Sequence, residues 1–173
     1  PTAAVAQTAV VEGSLSAFDV VNDSGQAVHG FEIRLEGAQQ GDLYYTMWGQ
    51  RYGNAKVTQD ATGVSIRYES PYDSVNHRYT VTTPQHVPGS PFSWNDCYSA
   101  GTRYSVSGCE HFGQSLRATS SSITVTSYWL LEDSQNPGQL VPSAPASAVR
   151  RTCVRSPAAS FICEATVRFQ TRS

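Results

Sequence analysis

From Phe31 to Glu36 the chain alternates strictly, with Phe31, Ile33 and Leu35 on one side and Glu32, Arg34 and Glu36 on the other. Successive side chains of a strand point to opposite faces, so this pattern describes a strand with one face buried. Ile123, Val125, Ser127, Trp129 and Leu131 repeat it against Thr124, Thr126, Tyr128 and Glu132. Phe161, Cys163, Ala165, Val167 and Phe169 do so against Glu164, Thr166, Arg168 and Gln170, and Val64-Ile66-Tyr68 and Tyr79-Val81 are shorter versions. Apolar residues nowhere hold the three-four spacing of a helix over a useful length, so single helical turns are all that the pattern allows.

Turn residues separate these runs. Asn22-Asp23-Ser24-Gly25 predicts a hairpin between strands at 14–21 and 28–36, and Ala61-Thr62-Gly63 another between 56–60 and 64–69. Ser134–Ser147, with Pro137, Pro142 and Pro145, reads as an exposed connection. Short strands with regular turns predict an all-β antiparallel β-sandwich, Ig-like or jelly-roll, with a closed barrel as the competing architecture. At 173 residues the chain forms one domain, 1–173, with a well-buried core.

The cysteines are Cys97, Cys109, Cys153 and Cys163, without Cys-x-x-Cys or Cys-x-x-His spacing. An even count in a β-rich chain predicts disulfides, hence a secreted or cell-surface location. Of three connectivities, Cys97–Cys109 with Cys153–Cys163 closes the shortest loops at the least entropic cost. The first bridge would clamp a long loop within 83–113, a stretch holding Pro84, Pro88, Pro91 and Trp94. Twelve basic against fourteen acidic residues give a net charge of −2, and no basic run extends beyond Arg150-Arg151 near Arg155, which argues against nucleic acid. Thr2 to Val11 is too short for a membrane span, and Pro1 points to a mature or trimmed form.

No motif names a reaction. His29, His77, His86 and His111 share no metal-ligand interval, and Glu110-His111 in an extended segment would point to opposite faces. No Gly-x-Ser-x-Gly is present, and Asp23, Asp42, Asp60, Asp73 and Asp133 fit turn caps. Asp19 is grouped with them. The expectation is a protein that is not an enzyme and has neither cofactor nor metal. Asn22-Asp23-Ser24 matches a glycosylation acceptor, but a tight turn accounts for the same residues. Tyr44, Tyr45, Trp48 and Tyr52 crowd one stretch beside Gln50 and Asn54, a composition used by sugar-binding surfaces, although strand packing alone would bury about half of them.

Phe18-Asp-Val-Val-Asn-Asp-Ser-Gly25 followed by Gly30-Phe-Glu-Ile33 resembles the opening of exported, uncharacterised bacterial β-sandwich proteins, the kind that often carry a PEP-type sorting tail. Gly108-Cys-Glu-His-Phe-Gly113 is similar to segments of the same group. This chain departs from them at Thr171-Arg172-Ser173, where Pro-Glu-Pro, an apolar span and a basic tail are missing. The resemblance implies export and no catalytic residue. Together these features point to a structural subunit of an extracellular fibre or matrix, partnered with itself. Residues 1–13, with Val5, Val10 and Val11, are then a candidate exchangeable strand for a neighbour's sheet edge. The alternative is a secreted carbohydrate-binding module that holds polysaccharide on the Tyr44–Tyr52 patch.

Overall fold

The computed structural model describes residues 11–47, 49–87, 97, 108–117, 123–143 and 146–151, with 11–14, 50 and 146–151 described for the backbone. Strands include the alternating runs at 31–36, 64–68 and 123–132, while the alternating run at 161–170 lies outside the described residues. The strands are β1 (Val11–Ser14), β2 (Ala17–Val21), β3 (Gly30–Glu36), β4 (Leu43–Thr46), β5 (Lys56–Gln59), β6 (Gly63–Glu69), β7 (Tyr72–Asp73) and β8 (Arg78–Tyr79). After them come β9 (Cys109–Phe112), β10 (Gln114–Leu116), β11 (Ile123–Glu132), β12 (Leu140–Pro142) and β13 (Ala146–Arg151). Helix among the described residues is 3-10 only, in the turns Gln40–Asp42 and Gln50–Tyr52 and at Cys97.

All the ladders between these strands are antiparallel. The large sheet has the order β12-β11-β3-β6-β5, with β13 also paired to β11. In the smaller layer β1 pairs β2 and β2 pairs β9. β9 runs through Gly113 into β10, which pairs β4. Gln114 N–H donates to Leu15 O at 2.7 Å and Met47 N–H to Gly113 O at 2.9 Å, carrying the pairing across that junction. The large sheet ends at β5 on one side and at β12 and β13 on the other, so these residues form no closed barrel.

The two layers meet through aromatic rings. Phe112 of the smaller layer lies parallel to Phe31 of the large sheet, with centroids 4.5 Å apart. Trp129 meets Phe31 edge-on at 5.0 Å, and Tyr68 lies 4.8 Å from Phe112. Phe18, Val20, Ile33, Leu35, Val64, Ile66 and Ile123 complete this buried cluster. The faces predicted from alternation in β3, β6 and β11 therefore do line the core. Burying each such side chain contributes about 1.5–3 kcal/mol.

Two turn assignments resolve differently. Asp60 does close the β5–β6 hairpin: its Oδ1 accepts the N–H groups of Thr62 and Gly63 at 2.8 and 3.0 Å. Asn22–Gly25 does not close a hairpin, because β2 belongs to the smaller layer and β3 to the large sheet. The turn changes layer because Asn22, fully buried, is tied to a distant segment. Its Nδ2 donates to Gln26 O, Thr83 O and Pro84 O at 2.9–3.0 Å, and its backbone O accepts His86 N–H at 2.8 Å. That amide is occupied and enclosed, so the turn reading of Asn22-Asp23-Ser24 stands in place of a sugar. The stretch expected as an exposed connection, Ser134–Ser147, contains β12 and the start of β13; Pro142 is tolerated there because β12 pairs only with β11 among the described residues.

The Cys97–Cys109 disulfide is present, with Cα atoms 5.2 Å apart. It packs with Val21 on the outer side of the smaller layer, and all three are buried. Cys153 and Cys163 lie outside the described residues, as do Val5, Val10 and Trp48. Val11 opens β1 and is in register with Val20 of the same chain.

Candidate functional site

The predicted aromatic cluster divides. Tyr52 leaves the surface: it is 5 % exposed, its ring lies 6.3 Å from Phe112, and its hydroxyl is 2.6 Å from Thr83 Oγ1. Burial, reinforced by the Glu110 charge, pushes its phenol well above the usual tyrosine range. It was legible only as an aromatic; the 3-10 turn at Gln50–Tyr52 takes it out of strand periodicity and turns it inward. Tyr44 and Tyr45 remain outside, 71 % and 55 % exposed.

β4 explains that exposure. Neighbouring residues on a strand face opposite ways, so both are open only where neither face is covered. Among the described residues β4 pairs with β10 alone, and its other edge is open. Gln114, fully buried, holds the pair together: its Oε1 lies 2.6 Å from Thr46 Oγ1 and its Nε2 donates to Tyr45 O at 2.9 Å. Leu43 packs on the core at the start of the strand. The Arg117 guanidinium sits over the Tyr44 ring, 5.4 Å from its centroid. Tyr44, with Arg117 over its ring, and Tyr45 thus stand exposed on the two faces of one edge strand.

Two buried polar clusters lie on opposite faces of β9, as the Glu110-His111 dipeptide predicts. On the inner side, the fully buried Glu110 carboxylate receives the Arg51 guanidinium and the Thr83 hydroxyl. Arg51 also donates to Thr82 O at 3.1 Å, so one ion pair ties the 3-10 turn and residues 82–83 to β9. On the outer side, His111 Nδ1 lies 2.6 Å from Asp19 Oδ1 across the β2–β9 ladder, both side chains buried. Asp19 is therefore no turn cap. The alternation Phe18, Val20 inward already sent Asp19 outward, and the partner could be found only once β2 was known to lie beside β9.

Asp42, Asp60, Asp73 and Asp133 are turn caps, whereas Asp23 is a half-buried carboxyl and Asp96 lies outside the described residues. Asp73 accepts Val75 and Asn76 N–H groups, and Asp133 accepts Gln135 N–H; hydrogen bonds to these carboxylates hold both below the usual carboxylate range. Among the described residues no three His, Cys, Asp or Glu side chains gather as a metal site, and no helix is long and apolar enough to cross a membrane. Comparison of the chain with protein-family models, curated proteins and solved structures returns no match.

Proposed function

We propose that this is a non-enzymatic structural domain of an extracellular assembly, joined to further copies of itself along open sheet edges. The observation that carries the reading is the β4 edge. Leu43–Thr46 has no charge and no proline, and it presents two exposed tyrosines beside an arginine. Open edges are normally blunted by charge, proline or a cover, and Tyr and Arg are enriched where proteins meet. β5, which among the described residues ends the large sheet, is guarded by contrast: it carries Lys56, which is held by Glu69, and the exposed Thr58 and Gln59. The Cys97–Cys109 bridge supports an oxidising location outside the cytosol.

Native mass spectrometry and electron microscopy across a concentration series test this. The expected result is concentration-dependent oligomers or filaments that the double variant Tyr44→Lys/Tyr45→Lys abolishes while its circular dichroism stays unchanged. A particle that remains monomeric at every concentration would sink the idea.

A further inference from the structure

A cleft of 580 Å³ opens on the outer face of the large sheet, away from β4. Its floor is Lys56, Arg67 and Glu69, and its walls include Tyr72 and Tyr79 of the β7–β8 hairpin and Gln139 of the turn before β12. The volume is that of an ordinary small-ligand site. The floor is a row of paired groups. Arg67 Nε lies 3.2 Å from Glu69 Oε1 and 3.5 Å from Glu32 Oε2, and Lys56 Nζ pairs with Glu69. A further Arg67 nitrogen donates to Leu140 O at 3.0 Å, which fixes the guanidinium against the turn.

The wall is an aromatic stack. Tyr72 meets Tyr79 edge-on at 5.0 Å, and Tyr79 stacks on His29 at 4.6 Å. Gly138 closes on Tyr72: a Cβ there would come 2.8 Å from the ring, so no larger residue leaves the wall in place. Tyr79 is 7 % exposed, yet its hydroxyl finds no hydrogen-bond partner among the described residues. A buried hydroxyl left so is costly. Burial, with the charges of Glu132, Tyr72, Glu69 and Asp133 around it, pushes this phenol up to about 12, so it stays a neutral donor and acceptor.

We propose that this cleft binds a neutral saccharide, with Tyr72 and Tyr79 as its wall and Arg67, Glu69 and Gln139 addressing its hydroxyls. Donors beside acceptors suit adjacent sugar hydroxyls, each of which both gives and accepts a hydrogen bond. An anion is the poorer fit, because Lys56 and Arg67 are already matched by Glu69 and Glu32. Leu140 and Pro71 add apolar surface for the carbon faces of the rings.

The test is an amide-shift titration of the full ¹⁵N-labelled chain with neutral hexasaccharides derived from cellulose, β-1,3-glucan, xylan, mannan and chitin, with inorganic phosphate alongside. At least one hexasaccharide should give saturable shifts over 67–72, 78–80 and 138–140. Tyr72→Ala removes the half-buried wall and should weaken that binding by about three- to tenfold. Gln139→Ala, on an exposed turn that tolerates the change, should weaken it by a similar factor. The Tyr44→Lys/Tyr45→Lys variant should bind unchanged, which separates this site from the β4 edge. The proposal is overturned if no hexasaccharide shifts these amides saturably, if phosphate alone does so, or if both Tyr72→Ala and Gln139→Ala bind like the parent.

Discussion

Asp23 shows how one residue's burial becomes a pH dependence of the whole chain. It follows the enclosed Asn22, and burial pushes its carboxyl up to about 6, against smaller opposing effects from a backbone hydrogen bond and from His86. A carboxyl with a raised folded pKa keeps its proton in the native state while the unfolded chain releases one, so stability falls as pH rises from about 4 to about 6. Solvent reaching this half-buried group trims the loss to about 1 kcal/mol. Urea midpoints for the parent and Asp23→Asn should therefore converge at low pH and separate by pH 6.5, with the variant the more stable. Parallel pH profiles would refute the assignment. At this scale the sequence was readable where chemistry is local: Asp60, Asp73 and Asp133 each cap a turn within a few residues of themselves. It was opaque where the partner is distant, as for Asp19 with His111 and Arg51 with Glu110, since a side chain's partner across sheets is not written next to it.

At the scale of elements, Gly113 decides whether the smaller layer exists as one surface. It sits between β9 and β10, where β2 approaches from one side and β4 from the other. A Cβ there would lie 2.2 Å from Ser16 O and 3.1 Å from Met47 Cε. Backbone cannot yield as a side chain can, so Gly113→Ala should cost about 1–3 kcal/mol. The measurement is chemical denaturation, and a loss below a few tenths of a kcal/mol would show that the strands can separate there freely. Alternation alone marked Phe31, Ile33 and Leu35 as inward and was right, because a face is a property of one strand. The order of strands is a property of pairs. That is why Asn22–Gly25 looked like a hairpin while β2 in fact pairs with β1 and β9, and why β12 escaped notice inside a proline-rich stretch.

For the molecule as a whole, the question is whether the two layers form one cooperative unit. Trp129 stands on the large sheet, yet its indole N–H donates to Val21 O on β2 at 3.2 Å, and its ring meets both Phe31 and Phe112. Ring stacking and this interlayer hydrogen bond couple the sheets, because among the described residues each layer covers the apolar face of the other. Trp129→Phe keeps an aromatic ring in the core but leaves the Val21 carbonyl without that donor and removes volume, a loss of about 2–4 kcal/mol. If the layers are one unit, far-ultraviolet and near-ultraviolet circular dichroism should report a single coincident unfolding transition in both parent and variant, with a lower midpoint and an unchanged denaturant slope in the variant. Separate transitions in the parent would mean that the aromatic contact does not bind the layers into one cooperative fold. A coincident parent and a split variant would instead single out Trp129 as the residue on which their cooperation depends.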